Sequence, residues 1–278
     1  MIQAKFNERK SVCVGLDADS DKIPEAIKKG EDLGMARFNF AIVNATSDLV
    51  CAYKPNIAFY ESLGAFGIVS LKATVGYIKT VAPDVLIIGD MKRADIGNTN
   101  LGYIKAAFEY FGFDAITVHP YLGREALQPF LDQKDKGIFV LCRTSNKGAK
   151  EFQDLKVVVG DRYIPLYQYV AHRVAADWNQ NNNCGLVVGA TYPEELAQVR
   201  AVVGDDMPIL VPAIGAQGGD LEKTIKAGKK NMIINASRSI IFASSGSDFA
   251  EAARRETLKL HEAINGYSTK GGENNGEK

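Results

Sequence analysis

The stretch Asp90-Met91-Lys92-Arg93-Ala94-Asp95 sets a lysine between two carboxylates, directly after the apolar run Val85–Asp90. Acidic neighbours favour the charged form of an amine, so such a lysine is a fixed ammonium and a proton source. If the strand runs on to Lys92, Asp90 and Lys92 share a face with Cα atoms about 6.5–7 Å apart. Lys54 ends a second apolar run, Cys51–Pro55. A lone buried charge is costly, and here two lysines and two acids offset one another. One reading is a structural ion-pair network, with Asp95 capping a helix. The other is a working site, and the pattern D-x-K-x-x-D beside Lys54 favours it.

A second cluster reads Val211-Pro212-Ala213-Ile214-Gly215-Ala216-Gln217-Gly218-Gly219-Asp220, followed later by Ser237-Arg238-Ser239. Glycines let backbone N–H groups approach an anion, and a helix N-terminus adds a favourable dipole. Arg238 can grip a phosphate bidentately while Gln217 donates a further hydrogen bond. A glycine-rich turn alone is a weak signal, because tight turns are common. Its combination with Arg238 at a matching strand end points to a phosphate site.

Other candidates carry less. His119, His172 and His261 lie on separate segments, without the spacing of a metal site or an acid pair nearby. His119-Pro120 reads as structural or as lining the site's mouth. Ser145 lacks a histidine–acid partnership and suits hydrogen bonding to a substrate better than nucleophilic attack. Four cysteines, Cys13, Cys51, Cys142 and Cys184, show no C-x-x-C and read as buried reduced thiols.

The elements that must position these groups alternate along the chain. Strand-like runs occur at Ser11–Leu16, Cys51–Pro55, Val85–Asp90, Ala115–Val118, Ile138–Cys142, Leu186–Gly189, Ile209–Pro212 and Met232–Asn235. Helical patterns follow each, at Ala36–Val50, Leu63–Val81, Gly97–Phe111, Arg124–Gln133, Pro165–Gln180, Pro193–Val203, Leu221–Lys226 and Asp248–Ala263. The runs are apolar throughout, as strands buried on both faces are. Eight βα units predict an α/β chain folded as one (β/α)₈ barrel, with residues 1–267 its catalytic domain. An open doubly wound sheet is the alternative, weakened because no G-x-G-x-x-G follows the first strand.

In such barrels the working groups lie just beyond the carboxyl ends of the strands. Those positions hold Asp17, Lys54, Asp90 with Lys92, His119, Arg143 with Ser145, Thr191, Gln217 and Arg238. The segments Asp19–Gly34 and Lys147–Arg162 read as irregular additions, and Ser268–Lys278 as a disordered tail.

Composition narrows the classes. The 278 residues carry 33 Lys+Arg against 33 Asp+Glu, so no global field draws nucleic acid or anionic lipid. No apolar run reaches the ~18–20 residues of a membrane helix, and Met1–Lys10 is polar, which predicts a cytoplasmic address.

The chain resembles the orotidine 5′-phosphate decarboxylase family over nearly its whole length. Val14-Gly15-Leu16-Asp17, Tyr53-Lys54-Pro55-Asn56, Asp90-Met91-Lys92-Arg93-Ala94-Asp95-Ile96-Gly97-Asn98-Thr99, Gly215-Ala216-Gln217-Gly218-Gly219 and Ala236-Ser237-Arg238-Ser239 carry the likeness. The extra loop material is similar to that of the family's longer bacterial branch. The resemblance implies loss of CO₂ from orotidine 5′-monophosphate (OMP) to give uridine 5′-monophosphate (UMP), the last step of de novo pyrimidine synthesis. It implies neither metal nor organic cofactor.

By the same resemblance Lys92 protonates C6, Asp90 lies near the departing carboxylate, and Lys54 and Asp95 complete the charge set. Asp17 and Lys54 hold ribose hydroxyls, Ser145 meets the pyrimidine, and Gln217 with Arg238 holds the phosphate. Ile96, Pro212 and Gly218 also line the substrate. Asp95 and Thr99 reach into a partner's site, implying a homodimer. The resemblance departs in two places: Gly218-Gly219 follows Gln217 without a long loop, and Ala213 stands where relatives often have glycine. Two rivals are a magnesium-dependent keto-sugar-phosphate decarboxylase or hexulose phosphate synthase of the same superfamily, and a non-catalytic phosphate-binding barrel.

Overall fold

Eight of the β-branched, apolar runs form the parallel strands of a closed barrel in the computed structural model, which describes residues 1–28, 34–212, 214 and 220–270. In chain order the strands are β1 (Val12–Gly15), β2 (Ala52–Lys54), β3 (Leu86–Arg93), β4 (Ala115–Val118), β5 (Gly137–Arg143), β6 (Lys156–Val159), β7 (Arg162–Pro165), β8 (Cys184–Val188), β9 (Ile209–Val211) and β10 (Met232–Ala236). The barrel runs β1-β2-β3-β4-β5-β8-β9-β10 and returns to β1. Every residue of β1, β2, β8, β9 and β10 is buried, which is why these runs show no polar alternation.

All eight expected barrel strands are present, and the helix Pro193–Val203 has the expected bounds. Pro193 stands in its first turn, where the missing N–H costs nothing, and Glu194 and Glu195 face the positive end of the helix dipole. The helices Gly97–Ile104 and Leu166–Arg173 pass into π-helical turns at Lys105–Phe111 and Val174–Trp178.

Three expectations need correction. Lys147–Arg162 is not irregular: it holds the short helix Lys150–Gln153 and then β6, which pairs antiparallel with β7. Gly160-Asp161 makes the two-residue turn, and Gly160 takes a positive φ of 60°. Asp19–Gly34 contains a 3₁₀ turn at Ser20–Lys22 and a helical turn at Glu25–Lys28. The last helix, Phe249–Lys270, enters the expected tail by three positions, and residues 271–278 lie outside the described residues.

The chain divides into two compact units. One comprises Met1–Met91, Lys105–Ala115 and Asn235–Asn265; the other comprises Lys92–Ile104, Ile116–Ile234 and Gly266–Lys278. In the first unit, Phe38 stacks on Phe242 and Phe249 with ring centroids 5.7 and 5.1 Å apart. In the second, Leu127, Phe130, Leu186 and Leu196 are fully buried. Each such apolar side chain contributes about 1.5–3 kcal/mol by leaving water. The four cysteines are buried and unbridged, as expected. Among the described residues no helix is long and apolar enough to cross a membrane.

Candidate active site

Polar groups of the first unit gather at the carboxyl ends of β1, β2 and β3. Gly15 lies opposite Lys54 in the β1–β2 register, and Leu16 N–H donates to the Lys54 carbonyl at 3.1 Å. Lys54 is 3% exposed, and its Nζ donates to Asp90 Oδ2 at 2.8 Å. Burial opposes the Lys54 ammonium. The Asp90 and Asp17 carboxylates outweigh that effect and hold its pKa above the ordinary lysine value. The same closed environment pushes the Cys13 thiol up to about 12, chiefly by burial.

Asp17 stands one residue past a pinned carbonyl. Tyr60 Oη donates to Leu16 O at 2.8 Å, and Asn39 Nδ2 donates to Tyr60 Oη at 3.0 Å and to Thr74 Oγ1 at 3.1 Å. This buried relay ties three helices to the end of β1. Asp17 Oδ1 is itself buried, with no hydrogen-bond partner among the described residues.

Arg238 opens the short helix Arg238–Ile241, entered through Ser237, and its side chain is exposed. A Cβ at Gly15 would collide with Ser237 Oγ and stand 3.4 Å from Asn235 Oδ1. Glycine at that position therefore lets the Ser237 turn close onto β1.

The second unit begins at Lys92. Its backbone has φ 48°, in the left-handed region that a non-glycine residue occupies at a cost of about 1–2 kcal/mol. Its N–H donates to Thr117 Oγ1 at 3.0 Å, and Thr117 is buried. The strand runs on through Lys92 to Arg93 despite this local departure from extended backbone. Lys92 is exposed while Asp90 is half-buried.

Past the strand, Asn100 fixes the turn that carries Asp95. Asn100 is fully buried; its Oδ1 accepts from Asp95 N–H at 2.8 Å, and its Nδ2 donates to the carbonyls of Asp95 and Ala126. Asp95 is half-buried and its Oδ1 accepts from Ile96 N–H at 2.7 Å. Ile96 and Thr99 are exposed on the following turn and helix start. Ser145 is half-buried, and Gly189 lies against it so closely that a Cβ there would stand 2.7 Å from Ser145 Cβ. His119 is half-buried, and its N–H donates to Arg93 O at 3.3 Å. Pro212 is half-buried after β9; Ala213, Gln217, Gly218 and Gly219 lie outside the described residues.

Within the first unit, then, Lys54 and Asp90 meet directly and Asp17 acts on Lys54 through charge. Within the second, Lys92, Asp95 and Ser145 each sit on a strand end or the turn after it. Sequence reasoning passed over Tyr60, Asn100 and Thr117, which hold those residues in place. A buried Tyr or Asn on a helix reads as packing until its partner is known, so only the fold reveals them. Among the described residues no group of three or more His, Cys, Asp or Glu side chains is placed to hold a metal ion.

Comparison with known proteins adds four findings. Residues 10–255 match the family described as orotidine 5′-phosphate decarboxylase / HUMPS. The chain is 49% identical over 252 residues to the orotidine 5′-phosphate decarboxylase of Herpetosiphon aurantiacus, covering 91% of each chain. It is 48% identical over 271 residues to that of an Azoarcus species, covering 96% of this chain and 97% of the relative. Among solved structures it is similar to the Leishmania donovani OMP decarboxylase, with a TM-score of 0.77, 36% identity, and coverage of 95% and 96% of the two chains.

Proposed function

The chain belongs to the orotidine 5′-phosphate decarboxylase / HUMPS family, and on that premise we propose how its own residues perform the reaction. As a carboxy-lyase of the kind its relatives are named for, it converts OMP to UMP, the last step of UMP biosynthesis. Heterolysis of the bond from C6 to the carboxylate releases CO₂ and leaves the electron pair on C6. The pyrimidine ring delocalises that pair poorly, so the barrier is mainly electrostatic and a fixed ammonium lowers it. Lys92 supplies the ammonium, stabilises the developing charge, and passes a proton from Nζ to C6; solvent then reprotonates the amine.

Asp90, Lys54 and Asp95 form the charge set around it. The observation that carries this reading is the buried Lys54–Asp90 pair at 2.8 Å on the strand ends that lead into Lys92. A pair already ordered needs no rearrangement when charge develops. Asp17, whose buried oxygen no described side chain engages, suits a ribose hydroxyl. Ser145 meets the pyrimidine, with Ile96 and Pro212 beside the substrate. Arg238, with Gln217 and Gly218, holds the phosphate. Phosphate binding is remote from C6, and its energy goes into aligning the site.

We further propose that residues 1–267 work as one catalytic domain in the cytoplasm. The protein acts as a homodimer in which Asp95 and Thr99 reach the partner's site, and it uses no metal or organic cofactor. Following the absorbance of OMP with and without a chelator tests the whole reading. Turnover that survives chelation supports it. No turnover, or turnover of a keto-sugar phosphate restored only by magnesium, overturns it.

A further inference from the structure

Arg143 is the last residue of β5, two positions before Ser145, and it is 0% exposed. The strand is irregular there: the β5–β8 register shifts between Leu141 and Arg143. Such a bulge re-aims the side chain that follows. The guanidinium is gripped from several sides. Its Nη1 donates to Thr144 O at 3.1 Å and to Gln153 Oε1 at 3.4 Å, and its Nη2 donates to Asp154 Oδ2 at 3.3 Å. Nε lies 3.0 Å from Asp154 Oδ1, off the line of a hydrogen bond, so that contact is ionic only. The Tyr192 ring covers the guanidinium carbon at 4.0 Å.

Gln153 then closes a loop onto the main chain. Its Oε1 accepts from Thr144 N–H at 2.8 Å and its Nε2 donates to Thr144 Oγ1 at 2.8 Å. Thr144 is the residue before Ser145. On the far side, Thr191 Oγ1 donates to Ser145 O at 3.4 Å, and Gly189 packs against the Ser145 backbone. Gln153 and Asp154 belong to the segment after β5 that has had no role assigned so far. A salt bridge built only for stability would not need an amide side chain matched to both the N–H and the hydroxyl of Thr144.

We propose that Arg143, Gln153 and Asp154 are positioning residues that hold the Thr144-Ser145 backbone so that Ser145 discriminates the pyrimidine base of the substrate. This rests on the reading that Ser145 meets that base. The helix Lys150–Gln153 is then a brace for base recognition, reaching no substrate atom itself. One or two hydrogen bonds set the alignment, so releasing them costs about tenfold in affinity for the base.

The test compares two probes of the full-length enzyme, UMP and ribose 5-phosphate, which lacks the base, by calorimetric binding. Gln153→Ala is expected to weaken UMP about tenfold while leaving ribose 5-phosphate unchanged. Gln153→Glu keeps the acceptor for Thr144 N–H beside the Arg143 cation, and it should restore UMP binding. In a Ser145→Ala background Gln153→Ala should cost nothing more, because the two act through one contact. Asp154→Asn gives an independent reading, a loss of about threefold on UMP alone, should Gln153→Ala fail to fold.

Equal losses on both probes, or no loss on either, overturn the positioning role. If Ser145→Ala leaves UMP binding intact, the base-contact reading itself fails. If Ser145→Ala weakens UMP but Gln153→Ala does not, only the brace fails.

Discussion

Arg143 and Arg200 are both sealed from solvent within one unit, but they hold groups of different kinds. Arg143, at the carboxyl end of β5, faces a carboxylate, an amide side chain and a tyrosine ring. Arg200 serves the amino ends of β9 and β10. Its Nε donates to Gly228 O at 2.8 Å, Nη1 to Gly204 O and Met207 O at 2.7 and 2.8 Å, and Nη2 to Lys230 O at 2.8 Å. Every partner of Arg200 in that set is a backbone carbonyl. Burial lowers its pKa to about 10, a fall that Asp205 and Asp206 partly oppose.

The difference separates two uses of an expensive buried cation. At the amino ends the arginine ties off loop carbonyls that would otherwise go unpaired. At the carboxyl ends it joins side chains that adjoin the site. Barrels divide labour this way, stability at one rim and chemistry at the other.

The largest effect expected is on turnover. Lys92→Ala should lower decarboxylation by at least about a thousandfold while far-ultraviolet dichroism stays native, since removing one preorganised charge-stabilising group costs on that order. Turnover within tenfold of the parent would break the assignment of chemistry to this rim. Next comes Arg200→Met, which strips four carbonyls of their donor. It should cost about 3–5 kcal/mol in urea unfolding and leave kcat of the surviving folded enzyme unchanged. A fall in kcat with unchanged stability would invert the contrast.

A finer cut uses the left-handed backbone of Lys92. Both Lys92→Ala and Lys92→Gly are expected to be inactive, but glycine relieves the φ strain. Lys92→Gly should therefore be the more stable of the two by about 0.5–1 kcal/mol, measured by urea unfolding. Equal stabilities would mean that the backbone there is not strained.

The smallest effect belongs to Asp48, just before β2, which meets Arg254 through Oδ1 at 2.7 Å and Oδ2 at 2.8 Å. Hydrogen bonding from Arg254 holds its carboxyl below the ordinary 3.8. The folded pKa is the lower one, so the pair stabilises fully above that ordinary value. Its contribution disappears as pH falls through the depressed one. Both partners are exposed, so Asp48→Asn should cost less than about 1 kcal/mol at pH 7, and less as pH falls below the ordinary carboxylate value. A difference that persists in acid would point to packing and not to charge.

The barrel could be read from sequence because strands buried on both faces leave unbroken apolar runs, and the polar residues that end them stand out. Lys54, Asp90 and Asp17 were found for that reason. The β6–β7 hairpin was missed although Lys156–Val159, Gly160-Asp161 and Arg162–Pro165 carry a two-residue hairpin signal. Polar neighbours on both sides masked it. The turn of φ at Lys92 has no sequence signature, since lysine is not a residue that prefers it. Asn100 and Gln153 were invisible because their partners are main-chain groups or lie nine positions away.

Lys54 draws one practical conclusion from its surroundings. An amine locked as ammonium between carboxylates, and shut away from solvent, has no lone pair to offer an acylating reagent. Amine-directed labelling of the folded protein should therefore pass over this lysine while modifying the exposed ones. The order in which it becomes reactive under denaturant would report when the mouth of the barrel comes apart.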